Sequence, residues 1–420
     1  MNIYAAIDKV KRLLEKRVVF TIAQRNELNE SISQLFREYI SANAIMMYSP
    51  NFDKNLTDYI YTNMAKQIVH LYSENSQYRV CKKLLLQINN RKKALYSRVI
   101  PQRSYSKSFV RNVRFNPEHL TDKITTLQEM PQPIQRTEEW YQFRHNLLTA
   151  SSIWKVFGTQ SGMNQLIYEK CEPYAIHKQA SIDSPLHWGQ KYEPVSVELY
   201  SNLYNTTVAD FGCIKHQTYP FIGASPDGIN VSINNPRYGR MLEIKNIVNR
   251  VITGIPKLEY WIQMQLQMET CNLNECDFLE TKFVEYDSYN DFIQDGNFNL
   301  TDDGKYKGIM ILFNYNGVLY YEYAPFQIAE KDYDSWEEEI VRKNAGGEWI
   351  RTIYWRLEQY SNILVLRNKP WFDAAIPKIK EIWDIILKER VEGHSHRAPK
   401  RRKSAGEFGS NKCLIKVEKL

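Results

Sequence analysis

No stretch of 18 consecutive apolar residues occurs anywhere in the 420-residue chain, which excludes a membrane-spanning helix. The six cysteines (Cys81, Cys171, Cys213, Cys271, Cys276 and Cys413) are scattered and form no CxxC pair. They give no zinc signal and fit reduced, structural thiols of an intracellular protein. The histidines supply no metal set, because His145, His187 and His216 stand isolated. There is no internal repeat. The opening residues mix charge into apolar positions and read as an amphipathic helix with Ile7, Val10, Leu13 and Leu14 on one side, not as a secretion signal. What is present, 43% apolar and 25% charged residues, is a globular balance. The length suits one large or two to three ordinary domains.

Acidic residues are missing where basic ones are densest. Residues 79–114 hold eleven Lys/Arg and no Asp/Glu, and residues 397–420 hold eight basic against two acidic residues. Residues 1–78 carry nine basic and eight acidic residues, so with a whole-chain charge of +7 the body from 115 to 396 is left at −11. An acidic body with two basic patches suits a nucleic-acid partner; a solvated face or basic loop is the plainer alternative. Tyr96, Tyr105 and Phe109 interleave the first patch, where rings can stack on bases or belong to the core. The cluster from Arg397 to Lys403 reads either as a nuclear-import signal or as an electrostatic tail.

The periodicities predict an α+β protein with an α/β-like core, a mixed β-sheet flanked by helices, and a helical N-terminal region. Four segments are expected: 1–130, helical with a basic segment and linker; 131–330, the core; 331–395, C-terminal helices packing on it; and 396–420, a flexible basic tail. Ile60, Met64, Ile68 and Leu71 lie at helical spacing. Prolines at 101, 117, 131 and 133 make 99–135 a linker. Thr137 reads as a helix cap, and residues 164–178, 194–205 and about 257–271 as helices. Strands are expected over 206–250, and Asn316-Gly317 predicts a hairpin between 307 and 326. Residues 331–392 read as helix.

Chemistry concentrates in Ser225-Pro226-Asp227-Gly228 and, fifteen residues on, Glu243-Ile244-Lys245. Glu243 and Lys245 are two apart on a strand and share a face. If the two strands pair as a hairpin, Asp227 and Glu243 meet at one end. Two carboxylates and the Ile244 backbone carbonyl make a hard oxygen site for Mg²⁺, with Mn²⁺ as a substitute. Lys245 could hold or deprotonate the bound water and stabilise negative charge on a phosphodiester. A surface salt bridge between Glu243 and Lys245 is the plain alternative. The apolar flanks argue against it, since charge within buried strands is costly unless it serves a site.

These residues, with three further blocks in order, resemble the PD-(D/E)xK nuclease superfamily with its restriction-endonuclease-like core. Within it they are most similar to the lambda-type exonuclease and viral alkaline nuclease group, the alkaline nucleases of baculoviruses above all. The likeness covers about residues 136–285. The further blocks are Trp140-Tyr141-Gln142-Phe143-Arg144 with Leu148-Thr149-Ala150-Ser151-Ser152, then Gly189-Gln190-Lys191-Tyr192-Glu193, and Tyr260-Trp261-Ile262-Gln263-Met264-Gln265. The resemblance implies that Arg144 and Ser151, with Ser152 and Ser225 nearby, receive a 5′-phosphate. It implies that Glu193 joins Asp227, Glu243 and the Ile244 carbonyl around the metal, and that Gln263, then Gln265, border the catalytic Lys245. Pro194 suits the first position of a helix, which puts Glu193 at a helix entrance.

The resemblance further implies a metal-dependent deoxyribonuclease, a 5′-to-3′ exonuclease on duplex DNA ends, serving viral recombination, replication or genome maturation. Its implied partners are double-stranded DNA and a single-strand-binding or annealing protein. A homo-oligomer is a further option, and no membrane is involved. The location implied is intracellular, the host nucleus or the cytoplasm. An endonuclease of the same fold on DNA or RNA, or a non-catalytic nucleic-acid-binding protein, are the alternatives.

Overall fold

In the computed structural model the described residues are 20–72, 74–96, 98–105, 117–175 and 184–399. The N-terminal amphipathic stretch, Phe109 and the tail beyond residue 399 lie outside them. Thr21 opens the first helix, α1 (Ile22–Asn43), with a capping box. The Thr21 hydroxyl accepts from the Gln24 amide and the Gln24 side chain accepts from the Thr21 amide, satisfying two otherwise orphaned donors. With α2 (Phe52–Ile68) and α3 (Glu74–Tyr96), it buries Ile32, Phe36, Leu56, Ile60, Leu84 and Ile88. Tyr96 belongs to this core, with its hydroxyl 2.6 Å from Asp53 Oδ1, so it is not a base-stacking ring. Asp53 also takes Lys92 at 2.8 Å.

The stretch expected as a linker contains a helix, α4 (Pro117–Glu129). The proline that suggested a break stands at its first position, where a missing N–H costs nothing. Helix α5 (Glu138–His145) follows, its Trp140 amide bonded to Thr137 Oγ1, as the sequence predicted. Strand β1 (Leu148–Thr149), α6 (Ala150–Ile153) and α7 (Gln160–Cys171) lead to a long α8 (Pro185–Tyr204).

Short strands come next: β2 (Val208–Ala209), β3 (Ile214–Lys215), β4 (Ile222–Ala224) and β5 (Gly228–Asn230). After β6 (Met241–Asn246) come α9 (Leu258–Thr270) and β7 (Glu275–Glu285). Then follow α10 (Tyr289–Gln294), β8 (Lys307–Tyr315), β9 (Val318–Tyr323), α11 (Glu330–Lys343), β10 (Glu348–Leu366) and α12 (Lys369–Glu392). The main sheet runs β2-β5-β6-β7-β10-β8-β9, and a small sheet runs β1-β4-β3. Only β6 and β7 pair in parallel within the main sheet, with α9 as their crossover. The sheet is mixed, and the α+β expectation holds.

Asn316 and Gly317 both have positive φ, 52° and 89°, which is the twist a tight β8–β9 hairpin needs. The helical reading of 331–392 is corrected in its middle. Residues 348–366 form β10, bonded to β7 on one side and β8 on the other. The expected segment of C-terminal helices therefore carries a central strand of the core sheet.

Candidate active site

Strand register assembles the acids. Gly228 lies opposite Leu242 and Ile229 opposite Met241 in the antiparallel β5–β6 pair, so Asp227, one residue before β5, faces Glu243. Its Oδ2 accepts the Ile244 amide at 2.7 Å. A strand residue points its N–H and C=O the same way, so the Ile244 carbonyl also looks toward Asp227, past the end of β5. Glycine at 228 lets β5 approach β2 closely: a Cβ there would collide with the Val208 side chain.

Period-two alternation then sorts β6. Leu242 and Ile244 pack with Tyr200 and Leu279 beneath α8. Glu243 and Lys245 emerge on the opposite face, against α9. Glu243 has no solvent exposure, while the Lys245 side chain keeps 24%. The Lys245 ammonium pairs with Glu243 Oε1, and Gln267 Nε2 donates to Glu243 Oε2 at 2.7 Å and to the Ser225 carbonyl at 3.3 Å.

Negative charge is crowded here. Burial pushes the Asp227 carboxyl well up, and the Glu243 and Glu193 carboxylates push it further; Lys245 and the Ile244 amide only partly offset this. Burial likewise raises Glu193, with Glu243 adding to it and Arg136 and Lys245 opposing. Burial alone would lower Lys245, but Glu243 and Asp227 outweigh it and hold the ammonium above its usual value. In this arrangement the Lys245 ammonium donates to Glu243.

A second cluster adjoins the first through Ser225, two residues from Asp227. Ser225 Oγ accepts from Trp140 Nε1 at 3.1 Å and Arg144 Nη1 at 3.3 Å. Arg144 Nη2 donates to Ser151 Oγ at 2.9 Å, and the guanidinium lies 4.1 Å from the Trp140 ring centroid. Arg144, Ser151 and Ser225 thus converge. Ser152 does not join them: its hydroxyl bonds to the Thr149 carbonyl at 3.0 Å. Lys170 donates to the Arg144 carbonyl at 2.7 Å. Burial, then Arg144 and Arg390, bring its amine down to about 7.

Three placements differ from the sequence expectation. Helix α8 begins at Pro185, capped by Ser184, so Pro194 lies inside it and Glu193 is mid-helical, not at an entrance. A proline suits a first turn, and here Pro185 fills that role. Gln265 turns away from the acids and spans the β10–α12 junction: its Nε2 donates to the Leu366 carbonyl at 3.0 Å and its Oε1 accepts the Asn368 amide at 2.7 Å. The glutamine touching Glu243 is Gln267, one turn beyond Gln263 on the same helix face. Gln263 is 9% exposed.

Glu243 and Glu193 push the Asp227 carboxyl up and Glu243 does the same to Glu193, yet the three are not drawn up as a ready set of ligands. Among the described residues no group of three or more His, Cys, Asp or Glu side chains is spaced to hold a metal ion. Glu193 Oε2 is instead engaged by Arg136 Nη2 at 2.5 Å. The donor chemistry still fits a hard divalent cation: two facing carboxylates, a strand carbonyl on the Asp227 side of β6, and repulsion that a cation would relieve.

Residues 139–274 match the family profile described as the YqaJ-like viral recombinase domain. The chain is also 29% identical, over 305 residues, to an uncharacterized protein of Acanthamoeba polyphaga mimivirus; the match takes in 63% of this chain and 54% of that protein. Among solved structures, the alkaline exonuclease from Laribacter hongkongensis in complex with dAMP matches over 60% of this chain and 94% of that one, at 18% identity and a TM-score of 0.36. A phage-related exonuclease from Haemophilus somnus matches over 58% and 93%, at 14% identity and 0.32. No helix among the described residues is long and apolar enough to cross a membrane.

Proposed function

We propose that this chain, whose residues 139–274 match the YqaJ-like viral recombinase domain profile, is a metal-dependent deoxyribonuclease of the PD-(D/E)xK type degrading duplex DNA from its 5′ end. The observation that carries the reading is the register of β5 on β6. It sets Asp227 against Glu243, puts Lys245 on the same face, and leaves Ser225 two residues away as the acceptor for Arg144.

Asp227, Glu243 and the Ile244 carbonyl would hold Mg²⁺ or Mn²⁺, with Glu193 in reach. Such a cation supplies positive charge to the phosphate oxygens and acidity to a water. The chain's own residues do the positioning. Arg144 and Ser151 grip the terminal phosphate, the guanidinium offering a planar fork to two oxygens. Lys245, held cationic, orients the attacking water and stabilises charge on the phosphorus centre. Gln267 would hold the Glu243 carboxylate in place through its hydrogen bond. The 3′-oxygen leaves in line, so catalysis rests on orientation and charge.

Digestion from one strand end leaves single-stranded DNA, which fits a single-strand-binding or annealing partner and a recombination role. The basic cluster at residues 397–403, most of it outside the described residues, would direct the chain to a host nucleus. Comparing linear and covalently closed duplexes in Mg²⁺ tests the reading, with 5′-phosphate and 5′-hydroxyl ends as a second arm. Linear, 5′-phosphorylated DNA is expected to be digested fastest. Closed circles cut as fast as linear ends would point to an endonuclease, and no hydrolysis with Mg²⁺ or Mn²⁺ to a binding protein.

A further inference from the structure

Arg136 stands just before the α5 cap and has φ of +68°, a left-handed backbone that long side chains rarely adopt. The surrounding strap is tied from several sides. Gln132 Oε1 accepts the Gly212 amide at 2.7 Å, and the Pro133 carbonyl accepts the Cys213 amide at 3.4 Å. Gln135 Nε2 donates to the Phe211 carbonyl at 2.8 Å and to the Pro226 carbonyl at 3.0 Å. The last bond fixes the strap to the residue before Asp227. So clamped, the strap aims Arg136 at Glu193, with Nη2 and Oε2 2.5 Å apart. The side chains are 42% and 29% exposed, so the pair sits at the mouth of the site, open to a polyanion.

Each of two acids thus has its own cation: Glu243 has Lys245 and Glu193 has Arg136. We propose that Arg136 is an internal counter-ion of Glu193 that is handed over to the DNA backbone when a divalent cation takes the carboxylate. The inference rests on the nuclease reading for the role of Glu193. A guanidinium and a divalent cation compete for one oxygen, and a phosphate diester offers the displaced guanidinium two. The exchange couples the two ligands reciprocally. DNA that draws Arg136 away frees Glu193 for the cation, and the cation frees Arg136 for DNA.

The test needs no turnover. Binding of a 5′-phosphorylated duplex is followed by fluorescence anisotropy in EDTA for wild type, Glu193→Gln, Arg136→Gly and the double variant. Glycine suits the positive φ, so Arg136→Gly removes the guanidinium without straining the strap. Glu193→Gln is expected to tighten binding roughly three- to tenfold and to steepen the log K against log salt slope by about 0.9, the mark of one added phosphate contact. Arg136→Gly alone should bind like wild type, and the double variant should lose the gain. A gain that persists in the double variant would overturn the handover, since only removal of negative charge would then be at work. So would an Arg136→Gly variant whose loss of affinity from wild type equals the loss from Glu193→Gln to the double variant, since the two residues would then be uncoupled. Mn²⁺ titration without DNA, read by electron paramagnetic resonance, supplies the second arm. Arg136→Gly should bind Mn²⁺ several-fold tighter, and an equal or weaker affinity also sinks the idea. Failure of the nuclease reading shows separately, as wild type that hydrolyses no DNA.

Discussion

Glu243 is fully buried between Lys245 and Gln267, while burial and the neighbouring carboxylates penalise the charge on Asp227 opposite it. Asp227→Asn should therefore cut hydrolysis by at least about a hundredfold, the scale of losing a transition-state electrostatic contact, while raising the melting temperature in EDTA at pH 8. Mg²⁺ should stabilise wild type and not the variant, as differential scanning fluorimetry would show. Lys245→Ala should lose hydrolysis and keep salt-sensitive DNA binding.

The three glutamines of α9 separate two roles. Gln265→Ala breaks two buried bonds at the β10–α12 junction and should cost about 1–3 kcal/mol of stability, with near-normal activity per folded molecule. Gln267→Ala should lower kcat far more than it lowers the melting temperature. The sequence could not assign these roles. Residues two apart on a helix point about 200° from each other, and residues 261–270 of α9 are all buried, so no polar face marks which glutamine meets the sheet. Asp227, Glu243 and Lys245 were legible, because a strand's alternation is fixed locally and apolar neighbours flagged charges in a buried setting.

Lys170 gives a pH-dependent outcome. Its folded amine titrates near 7 against 10.5 ordinarily. Between those values the unfolded chain binds more protons, so stability from this group rises with pH across the window and is least below 7. Lys170→Met should stabilise the protein more at pH 6.5 than at pH 9.5 in thermal melts, and an equal gain at both would refute the shift.

At the scale of elements, the site depends on short strands held at close quarters. Gly228→Ala should push β5 from β2 and destabilise the chain by an overpacking cost of about 1–3 kcal/mol. Because the collision is with the Val208 side chain, Val208→Ala added to it should restore much of the stability in urea melts. The β8–β9 hairpin was readable from Asn316-Gly317, whose positive φ is a local matter. Strand β10 was not. Ile353, Trp355 and Leu357 alternate, but the register shifts at Trp349/Arg351 and Leu357/Gln359 break the phase, and residues 363–366 are buried on both faces. A double-sided apolar run looks alike in strand and helix. Pro194 misled for a related reason: a proline argues for a helix start, and only the packing of α8 on β6 shows that the helix runs through it.

Across the whole molecule, one apolar cluster runs from the N-terminal helices through α9 to α12. Trp371 Nε1 donates to the Ile45 carbonyl at 3.2 Å, and Trp261 Nε1 to the Arg103 carbonyl at 2.8 Å. The two indoles meet edge to face at 5.2 Å. Deleting residues 1–100 should therefore expose this cluster and give an unfolded or aggregated protein instead of a smaller active nuclease. A soluble, cooperatively melting fragment with DNA-end activity would show the N-terminal region to be separable. By itself the sequence singled out Asp227, Glu243 and Lys245 as candidates and set them at a strand pair, since residue type and two-residue alternation act over short range. Only the tertiary structure decided which glutamine supports Glu243, that Arg136 holds Glu193, and that residue 348 begins a central strand. Each of those is a meeting of segments tens of residues apart, selected by packing and by charge pairing, which no local pattern encodes.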